Sequence, residues 1–321
     1  MKLTAIPQTD LTPSAICLGT SNFGAAIPQA DAFTLLDAFV DQGGTFLDTA
    51  EVYANWRPDL PRSISERTLG TWMAARGNRD RMIIGTKGGH PDLATMHISR
   101  LSPAEILYDL RSSLDRLQTD YIDLYWLHRD DPNRPVEEMV ETLAAQVQAG
   151  TIRAFGCSNW STDRMRAAWR YATDHAIPGF VANQPLWSLA QPNPAAFGMP
   201  GLAGMDEEMY AFHQEVGWAV IPYTSQARGI FSKLAAGGEA SLREGERKSY
   251  LNEVNRQRLV RVKEIAVQHN ATVAQVVLAY LLWQSIPTIP VIGCRTAEQL
   301  VESLGALAVE LTVEEVIALQ H

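Results

Sequence analysis

Eight short apolar runs along the chain each end in a glycine or a polar side chain, and this repetition constrains the fold more than any other feature. The runs are short, rich in β-branched and aromatic residues and bounded by turn formers, as in 83–87, 121–128, 180–184, 218–223 and 288–293. That pattern is typical of buried parallel strands. The residues that end the eight runs are Gly19, Asp48, Lys87, His128, Ser158-Asn159, Gln184, Tyr223 and Gly293-Cys294-Arg295. Polar groups gathered at one end of parallel strands predict an active site there.

Helical patterns lie between most of these runs. Predicted helices cover 31–42, 136–148, 162–175 and 206–216, and a further helix begins at a capping box, Ser102-Pro103-Ala104-Glu105. Strand and helix in alternation, repeated eight times, predict an α/β fold of the (β/α)8 TIM barrel type. Two short stretches before residue 19, separated by a turn at 7–10, predict an N-terminal hairpin that caps the barrel floor.

Length and composition favour one domain, over 1–321. The chain has 321 residues, above the usual length of about 250 for this barrel but within range once loops are extended. A net charge of −9 argues against a nucleic acid or an anionic membrane as partner. The first ten residues lack the apolar segment of a signal peptide, and no apolar run approaches the roughly 18 residues of a membrane span. We therefore expect a cytoplasmic protein.

The three cysteines do not indicate a metal site. Cys17, Cys157 and Cys294 lack the paired spacing of a zinc site, so we expect buried free thiols and no metal.

Segments 186–205 and 228–255 are rich in glycine and polar residues and follow predicted strands on the catalytic side. We interpret both as long loops, the first walling a substrate pocket and the second closing over a bound ligand.

Four polar residues carry the chemical hypothesis, namely Asp48, Tyr53, Lys87 and His128. Reduction of a carbonyl builds negative charge on its oxygen, so a catalyst needs preorganised donors and one proton source. Tyr53 could supply the proton if a nearby cation favours its ionised form, and Lys87 could be that cation, with Asp48 as its counter-ion. His128 would be a second donor to the same oxygen. Taken singly, Asp48 could cap a helix, Lys87 could lie on the surface and His128 could be a core histidine.

Five segments resemble, in order, the successive motifs of the aldo-keto reductase family, and the similarity runs from about residue 15 to residue 304. They are TFLDTAEVY, IIGTKGG, YIDLYWLHRDD, IRAFGCSNW and VIGCRTAEQL. The resemblance implies a barrel that binds a nicotinamide cofactor without a Rossmann domain. The sequence has no GxGxxG between a strand and a helix, which agrees with that implication.

The resemblance also implies roles for individual residues. Tyr53 would be the proton donor, tuned by Lys87 and Asp48, and His128 would orient the carbonyl. Ser158, Asn159 and Gln184 would hydrogen-bond the nicotinamide carboxamide, with Tyr223 stacked on the ring. The remaining cofactor contacts would be Gly19, Ser225, Gln226, Arg228, Gly293, Cys294, Arg295, Gln299 and Glu302. An alternative for Ser158-Asn159 is that the pair ends a strand and caps the next helix.

Two features bear on the choice of cofactor. The family's usual Tyr-Ser-Pro-Leu after strand seven is here Tyr223-Thr224-Ser225-Gln226, so the pyrophosphate contacts differ. Arg295 stands just before a predicted helix, where free backbone N–H groups favour an anion, and it indicates the 2′-phosphate of NADP. Alternatively, Thr296 and Gln299 form a capping box and Arg295 is solvated, which leaves NAD possible.

The sequence constrains the substrate less. Candidate substrate residues are the aromatic and cationic side chains near the predicted strand ends: Trp56, Arg57, Trp126, Arg129 and Trp187, with Trp160 as a further tryptophan. Such groups suit a small polar, sugar-like or anionic carbonyl compound, although tryptophans commonly pack in a core. The main hypothesis is an NADPH-dependent carbonyl reductase. The alternatives are an NAD(P)-dependent sugar dehydrogenase and a non-catalytic nicotinamide-binding subunit, as in potassium-channel β-subunits. The oligomeric state is not constrained.

Overall fold

The computed structural model describes residues 1–197 and 201–320, and eight parallel strands form its centre. They are β1 Cys17–Gly19, β2 Phe46–Asp48, β3 Ile83–Gly88, β4 Ile122–Leu127, β5 Ile152–Ser158, β6 Phe180–Gln184, β7 Ala219–Val220 and β8 Val291–Ile292. Their order in the sheet is β7-β6-β5-β4-β3-β2-β1-β8. The sheet curls until its outer strands meet, where Val220 N–H donates to Pro287 O at 2.8 Å and accepts through its carbonyl from Ile289 N–H at 2.9 Å. The predicted (β/α)8 barrel is confirmed.

Helices separate the strands as the alternation predicts. They are α1 Gln29–Asp41, α2 Ile64–Arg76, α3 Pro103–Leu117, α4 Val136–Gln148, α5 Thr162–Asp174, α6 Glu207–Val216, α7 Ile230–Gly237, α8 Glu244–Tyr250, α9 Glu253–Gln268, α10 Val273–Leu282, α11 Ala297–Leu304 and α12 Val313–Gln320. The capping box that begins α3 is present, because Ser102 Oγ accepts from Glu105 N–H and the Glu105 carboxylate accepts from Ser102 N–H. In the described part of the chain, no single helix is long and apolar enough to cross a membrane; α9 and α10 pass that test only as a pair bent by 96°.

The N-terminal hairpin closes one end of the barrel. Leu3 and Ser14 form an antiparallel bridge, and Ile6 N–H donates to Leu11 O at 2.9 Å. Ile6 is 0% exposed and Leu11 1%, and both belong to the apolar cluster of inward-facing strand residues that includes Phe46. The hairpin therefore fills the barrel floor, as predicted, and leaves the opposite end of the barrel for a site.

The two long segments differ from each other. Residues 186–205 are mostly irregular apart from a 3-10 turn at Pro194–Phe197, and the part of that prediction at 198–200 lies outside the described residues. For 228–255 the prediction of a loop is wrong, since the segment contains α7 and α8. Two of its glycines flank a helix: Gly229 precedes α7 with a φ of 76° and Gly238 follows it with a φ of 61°, where an L-residue is strained.

We predict that the barrel floor depends on the hairpin's apolar contacts. Replacing Ile6 with alanine leaves a cavity in a fully buried cluster and should lower the free energy of unfolding by about 2–5 kcal/mol. Leu3, in the same hairpin, is 58% exposed, so Leu3→Ala should change stability by no more than about 0.5 kcal/mol. Urea denaturation of both variants measures the difference. Equal losses would show that the hairpin does not plug the barrel.

Candidate active site

A cleft of about 880 Å³ opens at the C-terminal ends of the strands. The predicted strand-end residues that line it are Gly19, Asp48, His128, Ser158, Asn159, Gln184, Tyr223, Gly293 and Arg295. These residues converge because the strands are parallel and their carboxyl ends meet at one rim of the barrel. The structure thus brings together polar groups that are far apart in the sequence.

An ion pair lies at the floor of this cleft. Lys87 Nζ is 2.5 Å from Asp48 Oδ2 and donates to Thr49 O at 2.7 Å, and both side chains are almost fully buried. Gln184 Nε2 donates to the other carboxylate oxygen of Asp48 at 3.0 Å. Burial alone would lower the pKa of Lys87, but Asp48 and Tyr53 outweigh burial and raise that pKa above its usual value. Lys87 is therefore an ammonium at neutral pH.

Tyr53 lies directly beside the ion pair. Lys87 Nζ is 4.8 Å from the centre of the Tyr53 ring, and the His128 ring meets Tyr53 edge-on with 6.0 Å between ring centres. Burial raises the pKa of Tyr53, and the lowering by Lys87 only partly offsets this. Lys87 thus acts in the expected direction, favouring the ionised form of Tyr53, but burial outweighs it and the phenol is protonated at neutral pH.

His128 is held by its backbone at the end of β4. Its N–H donates to Gly88 O at 2.9 Å, and its carbonyl accepts from Asn159 Nδ2 at 3.2 Å. Its Nδ1 atom is buried without a hydrogen-bond partner among the described residues. Burial, together with His90 and Lys87, holds the pKa of His128 well below the usual 6.5, so the ring is neutral at pH 7.

Sequence reasoning missed His90, which lines the cleft beside His128. The two imidazole rings have centres 4.9 Å apart. Burial lowers the pKa of His90 to about 4, so it too is neutral at pH 7. The available signal was its position three residues after Lys87, at the end of a predicted strand.

The residues expected at the nicotinamide form one hydrogen-bonded group. Tyr223 Oη donates to Asn159 Oδ1 at 2.8 Å, Asn159 Nδ2 donates to Ser158 Oγ at 3.0 Å, and Ser158 Oγ donates to Gln184 O at 2.8 Å. The alternative that Ser158-Asn159 caps the next helix does not hold, since Ser161 caps α5 by accepting from Arg164 N–H. These side chains therefore face the cleft and hydrogen-bond one another, and they do not cap the helix.

The far end of the cleft is polar and partly cationic. The expected cofactor residues that line it are Ser225, Gln226, Arg228, Arg295, Gln299 and Glu302, and the additional cations Lys233 and Arg243 come from segment 228–255. Thr296 caps α11, but the Gln299 side chain accepts from Arg295 N–H, so the alternative capping box is only half formed. Cys294 is buried in the core and does not line the cleft.

Of the expected substrate residues, the structure brings Trp56 and Arg129 to the cleft. Trp126 is fully buried inside the barrel, against Gly156, where a side chain would collide with its ring. Arg57 is exposed and pairs with Asp59 at 2.7 Å. The other two tryptophans pack in the core: Trp187 contacts Tyr210 and Tyr280, and the Trp160 indole donates to Arg129 O at 3.0 Å. None of these four lines the cleft: the three tryptophans point into packed layers, and Arg57 points to solvent.

Comparison with known proteins agrees with this arrangement. The sequence profile of the Aldo/keto reductase family matches residues 15–321. The chain is 30% identical to norsolorinic acid reductase stcV of Emericella nidulans over 98% of this chain and 79% of that protein. It is 29% identical to the uncharacterized oxidoreductase YrpG of Bacillus subtilis over 98% of this chain and 93% of that one. It is also 27% identical to aryl-alcohol dehydrogenase GME11368 of Pestalotiopsis microspora, over 97% of this chain and 79% of that protein.

We predict that the Asp48–Lys87 pair is coupled in stability. Asp48→Asn leaves a buried ammonium without a counter-ion and should lower the free energy of unfolding by about 3–5 kcal/mol. Adding Lys87→Met to that variant removes the unpaired charge, so the double variant should be more stable than Asp48→Asn alone. Urea denaturation of both single variants and the double variant measures the coupling. Strictly additive losses would contradict it.

Proposed function

The chain belongs to the aldo/keto reductase family, and we propose that within it the protein is an NADPH-dependent reductase of small polar or sugar-like aldehydes and ketones. Membership makes it an NAD(P)H-dependent oxidoreductase. The preference for NADPH, the substrate and the direction of reaction are the proposal. The observation that carries it is the grouping of Tyr53 and neutral His128 over the Asp48–Lys87 ion pair at the floor of the cleft.

The mechanism follows from what each of these residues does. When bound, the nicotinamide cofactor supplies a hydride to the carbonyl carbon. Neutral His128 donates a ring N–H to the carbonyl oxygen and orients it. Tyr53 gives its phenolic proton to that oxygen as negative charge develops. The Lys87 ammonium, held by Asp48, stabilises the phenolate that remains until solvent returns the proton.

The cleft residues fit a nicotinamide dinucleotide. Ser158, Asn159 and Gln184 offer amide and hydroxyl groups suited to a carboxamide, and Tyr223 offers a ring face. At the other end, Arg228 and Arg295 suit phosphate groups. Arg295 is exposed, lines the cleft and forms no ion pair within the described ranges, which supports recognition of the 2′-phosphate of NADPH.

The oxidative direction remains the alternative, because the same residues serve both directions of hydride transfer. The relative named aryl-alcohol dehydrogenase and those named norsolorinic acid reductase also argue for including aromatic carbonyls in any test. Sugars, short aldehydes and aromatic aldehydes, assayed in both directions with NADP and NAD, decide between reductase and sugar dehydrogenase. A protein that binds NADPH but turns over none of them would be the regulatory subunit instead.

Tyr53→Phe tests the proton donor. Loss of the phenolic proton should lower kcat by two or more orders of magnitude, the typical reach of general acid catalysis, with NADPH affinity nearly unchanged. Tyr125→Phe is the matched control, because Tyr125 is fully buried outside the cleft and its hydroxyl has no partner among the described residues. Turnover and a fluorescence titration with NADPH measure the two effects. Near-normal turnover in Tyr53→Phe would remove Tyr53 from the mechanism.

Arg295→Ala tests the choice of cofactor. Loss of a charge-assisted hydrogen bond to the 2′-phosphate should weaken NADPH binding by about 1–3 kcal/mol and leave NADH binding almost unchanged. Fluorescence titration with both cofactors measures the difference. Equal losses for NADPH and NADH would show that Arg295 does not read the 2′-phosphate.

A further inference from the structure

We propose that Arg129 binds a carboxylate of the substrate, which makes the preferred substrate an acidic carbonyl compound. The proposal rests on the proposed function, since it names the substrate class of the same site. It goes further by selecting an anionic group from the polar substrates that the site admits and by giving His90 the task of positioning Arg129.

Arg129 is a buried cation without an anionic partner. It is 7% exposed, and its Nε atom is buried without a hydrogen-bond partner among the described residues. No carboxylate lies within ion-pair distance of it in 1–197 or 201–320, and the residues between those ranges, Gly198-Met199-Pro200, have no ionisable side chain. The adjacent Asp130 is paired with Arg164 at 3.0 Å. A buried, unpaired guanidinium is costly, so its retention indicates a ligand.

The surroundings of Arg129 leave its charge uncompensated. Lys87 is already neutralised by Asp48, whereas His90 and His128 are neutral at pH 7. Burial lowers the pKa of Arg129, and among its neighbours Tyr223 acts in the opposite direction. Among the described residues, Arg129 thus adds an unpaired positive charge beside Tyr53 and His128, and a carboxylate matches it.

His90 fixes where the guanidinium points. Pro91 O can only accept, so the 2.6 Å contact places the imidazole proton on His90 Nδ1 and leaves Nε2 as an acceptor. Arg129 Nη2 donates to that Nε2 at 3.4 Å, and Arg129 Nη1 donates to Gly201 O at 3.2 Å. Two of the five guanidinium N–H groups are thereby used, and one hydrogen on each Nη atom is left for a carboxylate.

The position of Arg129 connects this contact to the chemistry. It directly follows His128 in the chain, and its partner His90 stacks edge-on with His128. A carboxylate held by Arg129 fixes the orientation of the attached carbonyl group relative to Tyr53 and His128. Trp56 and Leu93, both partly exposed at the cleft, provide apolar surface for the carbon skeleton between the two groups.

A pair of aldehydes that differ in one charge tests the proposal. The measured quantity is the ratio of kcat/KM for 4-formylbenzoate to kcat/KM for its methyl ester, which cancels any general loss of activity. Arg129→Gln should lower this ratio about 10- to 100-fold, the effect expected for one charge-assisted contact. Arg129→Lys keeps the charge and should retain part of the ratio. Arg166→Gln is the control, because Arg166 pairs with Glu215 and does not line the cleft. An unchanged ratio in Arg129→Gln would overturn the proposal.

A binding measurement separates this proposal from the proposed function. Calorimetry with the NADP⁺-saturated protein should show benzoate binding at least tenfold more weakly to Arg129→Gln than to the wild type. The affinity for benzamide, which has no charge, should be the same in the two proteins. If the wild type reduces neither aldehyde but binds benzoate through Arg129, the reductase proposal fails and the carboxylate site stands. If both aldehydes are reduced and benzoate binds the wild type and Arg129→Gln alike, the carboxylate site alone is refuted. If Arg129→Gln does not fold, both measurements are made with Arg129→Lys instead.

Discussion

The buried ion pair between Asp48 and Lys87 is the interaction on which the rest of the site depends. The two residues end neighbouring strands, and β2 and β3 pair in a register that sets Asp48 opposite Gly85, two residues before Lys87. Gln184 reaches the same carboxylate from β6. A buried pair adds little net stability, but removing one partner is costly, so the register of three strands and the charge of the site are tied together.

This pair also determines the electrostatics above it. In the proposed mechanism, Asp48 neutralises Lys87, so the charge of Lys87 acts only when a new negative charge appears nearby, on the Tyr53 oxygen or on the substrate. Burial keeps Tyr53 protonated and His128 neutral, so both carry N–H or O–H groups that can donate. If the site reduces a carbonyl as proposed, neutral donors around a compensated cation would stabilise the transition state more than the ground state.

The sequence predicts the fold and most of the strand-end residues that line the cleft, because both follow from strand ends. A polar residue that closes an apolar run must lie at the rim of a parallel barrel, whatever its packing, and Asp48, Lys87 and His128 were identified in this way. Side-chain direction was harder to predict. Trp126 is two residues before His128, yet its ring fills the barrel, because Gly156 on the next strand leaves room for it.

Glycine content alone does not distinguish a loop from a segment of short helices. The glycines of 228–255 indicate a loop, but Gly229 and Gly238 flank α7 with positive φ and Gly245 lies within α8. His90 escaped detection for a related reason: it follows two glycines, which the sequence presents as the start of a turn leading away from the site. The side chain of His90 lies at the rim next to Arg129, which is 39 residues later in the sequence. Such a long-range contact is not visible in the local sequence.

The two ends of the barrel divide stability and function between them. At the floor, Ile6 and Leu11 complete an apolar cluster with no charged member. The rim holds a buried ion pair and a buried guanidinium that has no counter-ion in the described part of the chain. Just after β7, three residues adopt left-handed conformations, Thr224, Ala227 and Arg228. The guanidinium and the left-handed residues each lower stability, and they persist because the closed sheet beneath them is well packed. The polar cleft at the rim and the apolar cluster at the floor thus lie at opposite ends of the barrel.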